Sequence, residues 1–390
     1  DAPFLRASAG GGRMSPVAVS EQGFVVAKEG EVERGLQALL VEIERVRRHG
    51  VTEAELDRAK ATLLSNLQKA FQERETSSSR NVLQELLRNF TNGETVPGLD
   101  FEWEAGQRYI PGFTVAEVNA AARGFLAPEG RVVTLMAPEK EGSAVPTPDE
   151  LKAVVDGVAA LEIEPPVNDE VTGPLLTTLP TPGSIVSEAF DEETQTHEWT
   201  LSNGLTVLLK PTDWKADEIV FRGVTSGGHS QVSDEDYVAA TTATGLADLS
   251  GYGAFDAEQL NKWFAGKVAR VGVFLGETDQ GIRGSTRPSD LETAFQAIHA
   301  RIVQPRFTQD AFDASRQQQA EWLRNRDADP GTLFNDTFNR LLWQDAPRTR
   351  PWTVETLEQM DLARSEAIYR ERLGHWGDGL FAFVGTFDLE

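Results

Sequence analysis

Two stretches of this chain, some 250 residues apart, carry one pattern. "VERGLQALLVEI" (32–43) lies over "LETAFQAIHARI" (291–302), and "TEAELDRAKATLLSNL" (52–67) lies over "TQDAFDASRQQQAEWL" (308–323) with a three-residue gap. Farther on, "FTVAEVNAAARGFL…RVVTLMAPE" parallels "WTVETLEQMDLARSEAIYRERL…LFAFVGTFD". Helix pairs therefore recur in the same order, each set ending in a short apolar run of strand type. A helix with one apolar stripe must bury it against another layer, so strands followed by runs of helices imply a sheet covered by helices. Recurrence of the whole set implies that the unit is duplicated. The expected fold class is α+β, with two homologous domains. Each is a mainly antiparallel sheet with helices packed on one face.

Local signals place the elements. Residues 31–75 carry apolar positions at helical spacing, interrupted at His49-Gly50. Gly50 reads as a helix stop, and Thr52 with Glu55 as the capping box that starts the next helix. Residues 80–92 continue helical through Leu83, Leu86, Leu87 and Phe90, and "RVVTLMAPE" (131–139) reads as a strand. From Pro146 onward the composition shifts toward proline, with a short helix expected near 149–161. The segment "EPPVNDEVTGPLLTTLPTPGS" reads as an extended linker, because each X-Pro step disfavours helix and removes a ladder donor. Its centre, "NDEVTG", is expected to be mobile. "HEWTLSNGLTVLLKP" then opens the second domain, with two strands flanking the Asn203-Gly204 hairpin signal. The expected division is a first domain over 1–145, a Pro-rich linker over 146–189 and a second domain over 190–390.

Composition narrows the function. With 61 acidic against 37 basic residues the net charge is −24. Such a chain repels phosphate backbones and anionic lipid, so nucleic acid and membrane surfaces are poor partners. No run approaches the roughly eighteen apolar residues of a membrane span. The chain has no cysteine, which removes disulfides, thiolate zinc sites and cysteine nucleophiles. Its five histidines, at 49, 197, 229, 299 and 375, include no pair four residues apart, so no helix face presents two imidazoles to a zinc ion. Phosphate-loop, dinucleotide-loop and nucleophile-elbow spacings are also missing. His229, after Gly227-Gly228, is the one histidine in a suggestive loop.

The ordered set "HEWTLSNGLTVLLKP…GGHSQVSDED…GYGAFDAEQLNKWFAGK…FTQDAFDASRQ…FVGTFDLE" resembles the third domain of pitrilysin/insulinase-type zinc metallopeptidases, the inverted zincins. "APFLRASA…AKEGEVERGLQALLVEIERVRRHGVTEAELDRAK…FTVAEVNAAARGFL…RVVTLMAPE" resembles the later part of their second domain. The resemblance implies the LuxS/metallohydrolase-like arrangement for each half. In the catalytic domain of that family, a Gly-rich strand end leads into a helix bearing His-x-x-Glu-His. Two histidines one turn apart hold zinc and the glutamate activates its water. Here "GGHSQVSDEDYVAATTAT" occupies the equivalent frame, with Ala240 and Thr244 at the histidine positions and Ala243 at the glutamate. Glu321 falls on the helix that carries the family's third ligand.

By resemblance, then, the chain is the middle of a longer polypeptide: the second domain lacks its opening strands and the third its closing helix. It is expected to form chamber wall and hinge of a zinc peptidase acting on peptides or small proteins. The catalytic and C-terminal domains would be supplied elsewhere, and zinc is expected in the parent and not in this chain. Gly227, Gly228 and His229 are the candidate chamber loop. Self-association through surfaces left uncovered is expected, and related bacterial sequences suggest a periplasmic or otherwise extracytoplasmic location. Two other readings stay open: a zinc-free chaperone-like or complex-core subunit on the same domains, and an α+β protein-interaction scaffold. A His-x-x-Glu-His upstream separates the first two; a shared topology of the halves tests the third.

Overall fold

The computed structural model describes residues 2–15, 17–137, 145–326 and 329–389. It divides into two compact units, Asp1–Leu67 with Ser77–Glu170, and Gln68–Thr76 with Val171–Glu390.

The first unit opens with an antiparallel hairpin of β1 (Phe4–Ser15) and β2 (Ala18–Ala27). Six helices follow: α1 (Val32–His49), α2 (Glu53–Gln72), α3 (Ser79–Asn92), α4 (Leu99–Tyr109), α5 (Val115–Ala122) and α6 (Pro148–Val158). The expected break between the first two helices is present: the Gly50 amide donates to the Val46 carbonyl at 2.8 Å. The Thr52 amide donates to the Glu55 carboxylate (2.7 Å) and the Glu55 amide to the Thr52 hydroxyl (3.2 Å). Each side chain thus satisfies a backbone donor that the first helical turn leaves without a partner. The core is small. Leu39, Leu40 and Ile43 of α1 close on Val158 of α6, with Val25 of β2 packed against them.

One expected element is not formed. Residues 131–137 are in no strand, and residues 138–144 lie outside the described residues. Val132 and Met136 are 82% and 94% exposed. A β-strand is defined by a partner as much as by its own residues, and among the described residues β1 and β2 pair only with each other. The linker centre also differs from expectation. The Ala54 amide donates to the Asn168 side-chain carbonyl at 3.2 Å, and Arg58 donates to the Asp169 carbonyl at 3.2 Å, so the start of "NDEVTG" is tied to α2.

The second unit holds a seven-stranded sheet in the order β3-β4-β5-β9-β6-β8-β7. The strands are β3 (Ile185–Asp191), β4 (Thr196–Leu201), β5 (Thr206–Pro211), β6 (Ile219–Ser226), β7 (Ala269–Leu275), β8 (Asp279–Thr286) and β9 (Leu380–Gly385). All neighbours run antiparallel except β5 and β9. The Asn203-Gly204 turn joins β4 to β5 as expected. Along β6 burial alternates, with Ile219, Phe221 and Thr225 inward and Val220 and Arg222 outward. That period of two means that one sheet face is covered.

The cover is helical. The helices are α7 (Tyr237–Ser250), α8 (Ala257–Trp263), α9 (Leu291–Val303), α10 (Gln309–Arg326), α11 (Pro330–Leu342) and α12 (Leu362–Leu373). Ala243 and Ala247 of α7, Ala294 and Ile298 of α9, and Tyr369 and Leu373 of α12 share one core with Phe221, Ile282, Phe381 and Phe383 of the sheet. The duplication is visible as order: hairpin β1–β2 leads to α1 and α2, and hairpin β7–β8 leads to α9 and α10. Both aligned sequence pairs fall on helices. Mixed α+β architecture with antiparallel-dominated sheet follows from these elements.

Candidate functional site

The frame singled out in the sequence begins where β6 ends. Gly227 and Gly228 both have positive φ, 136° and 64°. At Gly228 a Cβ would lie 2.5 Å from the carbonyl oxygens of Gly276 and Glu277, so glycine is required by both conformation and space. The Gly228 amide donates to the buried Gln280 side chain at 2.8 Å, and the His229 and Ser230 amides donate to the Gly276 and Glu277 carbonyls, each at 2.8 Å. The two glycines fold the chain back over the β7–β8 turn and deliver it to α7.

His229 is half-buried, and its ring meets Tyr237 edge-on with centroids 5.3 Å apart. Burial pulls its pKa below the usual histidine value; Glu277 opposes that shift and Arg348 adds to it. Arg348 enters from 119 residues away. Its guanidinium donates to the carbonyls of His229 (2.9 Å) and Val232 (2.7 Å) and to the Asp234 carboxylate (2.7 Å). It also lies 5.0 Å from the centroid of the Tyr237 ring, whose hydroxyl donates to the Arg348 carbonyl at 3.0 Å. Sequence inspection missed Arg348 and Tyr237, and no local spacing could have revealed a partnership over that separation. The cluster fixes a loop. It offers one imidazole, and the adjacent Ser230 hydroxyl is committed to the Gly227 carbonyl at 2.8 Å.

Next comes α7, which carries the three residues aligned from the sequence with the zinc-motif positions. Ala240 and Ala243 are fully buried, and Thr244 is half-buried. Ala240 sits with Val232, Ala239 and Ile368, and Leu275 packs against them. Ala243 belongs to the main core beside the sheet. Small residues on this helix let α12 approach closely: the Ser365 hydroxyl donates to the Ala239 carbonyl at 2.9 Å and lies 3.3 Å from the Thr242 hydroxyl. The Ala240 and Ala243 methyl groups thus pack among apolar side chains. Neither alanine offers a lone pair, and one hydroxyl does not make a zinc site, which takes about three protein ligands.

The remaining candidates are dispersed. Glu321, on α10, pairs with Arg324 at 3.1 Å. His197 packs against Phe190 with ring centroids 4.6 Å apart and planes tilted by 47°, and His299 lies half-buried on α9. His49 Nε2 is 2.7 Å from the Ile163 carbonyl, and His375 Nδ1 is 3.4 Å from the Glu371 carbonyl. Among the described residues, no group of three or more His, Asp or Glu side chains could hold a metal ion. Among them, too, no helix is long and apolar enough to cross a membrane.

The chain is 26% identical over 324 residues to the zinc protease PQQL-like protein of Arabidopsis thaliana, covering 82% of this chain and 31% of that protein. Its fold matches the periplasmic protease PqqL from Escherichia coli with a TM-score of 0.51 at 18% identity, covering 99% of this chain and 42% of the other. It also matches a mutant of the ferredoxin protease FusC, solved in complex with Arabidopsis ferredoxin. There the TM-score is 0.57 at 15% identity, covering all of this chain and 43% of that one. The chain thus spans about a third of the length of the curated relatives it matches. No family model matches it. The resemblance to pitrilysin/insulinase-type zinc peptidases drawn from the sequence is borne out by these relatives.

Proposed function

We propose that this chain is the non-catalytic central portion of a zinc-dependent metallopeptidase, forming wall and hinge of the chamber in which peptides or small proteins are cleaved. The observation that supports this reading lies on α7, the helix that sequence resemblance aligns with the family's zinc-binding one: Ala240 and Ala243 are sealed into apolar packing. Zinc protease relatives about three times its length support a catalytic domain elsewhere in the polypeptide. In this reading residues 1–145 and 190–390 are the family's second and third domains, and 146–189 joins the two halves of the enzyme. The Gly227–His229 loop borders the chamber. The complex of FusC with ferredoxin supports a folded-protein substrate class, and the periplasmic E. coli relative supports an extracytoplasmic location. Uncovered apolar residues on α3 (Leu83, Leu86, Phe90) and α11 (Phe334, Phe338, Leu341) support association with the missing domains or a second copy.

The test is metal analysis after dialysis against a weak chelator, paired with a quenched-peptide cleavage assay, on this chain and on the full polypeptide. The expected result is no stoichiometric zinc and no cleavage for the chain, and both for the full polypeptide. One zinc retained per chain and lost in His229→Ala or Glu321→Ala would overturn the reading. A full polypeptide without zinc would favour a chaperone-like or complex-core subunit.

A further inference from the structure

Strand β3 stands at one end of the seven-stranded sheet, paired on one side with β4; among the described residues no strand pairs with its other side. Every position of β3 is exposed, including Val186 at 63% and Phe190 at 47%. A free edge of this length presents a row of backbone donors and acceptors that another extended chain can complete. Proteins commonly blunt such an edge with lysine or proline, and β3 ("IVSEAFD") has neither.

The sequence around β3 carries one sign of charge. Between Lys152 and Lys210 the chain contains no lysine or arginine. Within the β3–β4 hairpin lie Glu188, Asp191, Glu192, Glu193 and Glu198. The turn is fixed by Asp191, which accepts from the amides of Glu193 (2.8 Å) and Thr194 (3.3 Å) and from the Thr194 hydroxyl (2.9 Å). Glu188 and Phe190, two residues apart, project from the same side of the strand and oppose Trp199 and His197 of β4. An incoming strand would therefore meet a carboxylate and an aromatic ring on one side and Asp191 on the other.

We propose that β3 is a docking edge for an extended, lysine- or arginine-bearing peptide segment, which adds to the sheet as an eighth strand. The ladder supplies the binding geometry, and the carboxylates select a cationic sequence. This reading is independent of the peptidase assignment, because it concerns binding and not cleavage.

The test uses acetyl-Lys-Val-Thr-Lys-Thr-Val-Lys-amide as probe, with binding followed by fluorescence anisotropy and backbone protection by hydrogen exchange. Saturable binding should weaken about tenfold on moving from low to high salt. It should be lost when alternate peptide nitrogens are methylated in one of the two registers, and the amides of 185–191 that face away from β4 should gain protection only with peptide present. The double variant Glu188→Lys, Glu193→Lys should lose at least about tenfold affinity and accept the same peptide with glutamate replacing lysine. Binding indifferent to N-methylation would mean that charge alone holds the peptide, and would overturn the proposal. So would an absence of binding, or protection without peptide of the 185–191 amides that face away from β4, which would assign the edge to a second copy.

Discussion

His229 lies in a loop that two glycines and one arginine hold in place, and its half-buried ring packs edge-on against Tyr237. Burial lowers its pKa below the ordinary value of about 6.5. On acidification the unfolded chain therefore takes up this proton before the folded one does. With more protons bound in the unfolded state, stability falls as the pH drops below that value and is fully retained above it. His229→Gln removes the contribution. The variant is expected to show a shallower loss of urea midpoint between pH 7 and pH 5 than the parent chain. An equal slope in both would mean that the imidazole titrates as if it were in water.

At the level of elements, the sheet of the second unit is built around missing side chains. Gly223 on β6 stands where a Cβ would approach the Phe381 ring to 2.4 Å, and that ring is buried in the core beside Phe383. Gly223→Ala must push the aromatic ring or bend the strand, and overpacking of this kind costs about 1–3 kcal/mol. The expected reading is a lower urea midpoint at unchanged slope. An unchanged midpoint would show that Phe381 has room to turn away. The capping box of α2 was legible because both partners sit within four residues. The strand expected over 131–139 is not formed in its described part, 131–137, for the converse reason: its apolar run specifies an extended backbone, but a ladder partner comes from elsewhere in the chain.

At the scale of the whole molecule, exposure and fixation alternate along the Pro-rich segment. Ile163 is buried, and Leu175 and Leu176 are buried with Tyr252 and Phe255, whereas residues 177–184 are exposed and in no helix or strand. Proteolytic attack needs several residues of accessible, deformable backbone, so this stretch is the expected first cut. Trypsin has no site there, since lysine and arginine are absent between 152 and 210. Brief proteinase K digestion should leave two fragments meeting near Thr177–Thr178. First cleavage within α1 or α2 would place the weakest point elsewhere.

The sequence by itself determined the duplicated order of elements, the proline-rich junction, the helix breaks and the resemblance to a peptidase family. Those properties repeat along the chain or are set by neighbours a few residues apart. It also showed that Ala240, Ala243 and Thr244 lack the atoms for a zinc site, since side-chain chemistry is fixed by residue identity alone. Only the tertiary structure decided what fills that space, because Val232, Leu275 and Ile368 reach Ala240 from three separate elements. It alone joined Arg348 to His229, left β3 without an outer partner among the described residues and left residues 131–137 outside any strand. Each of these depends on which segments the folded backbone brings together, and no spacing within one segment encodes that.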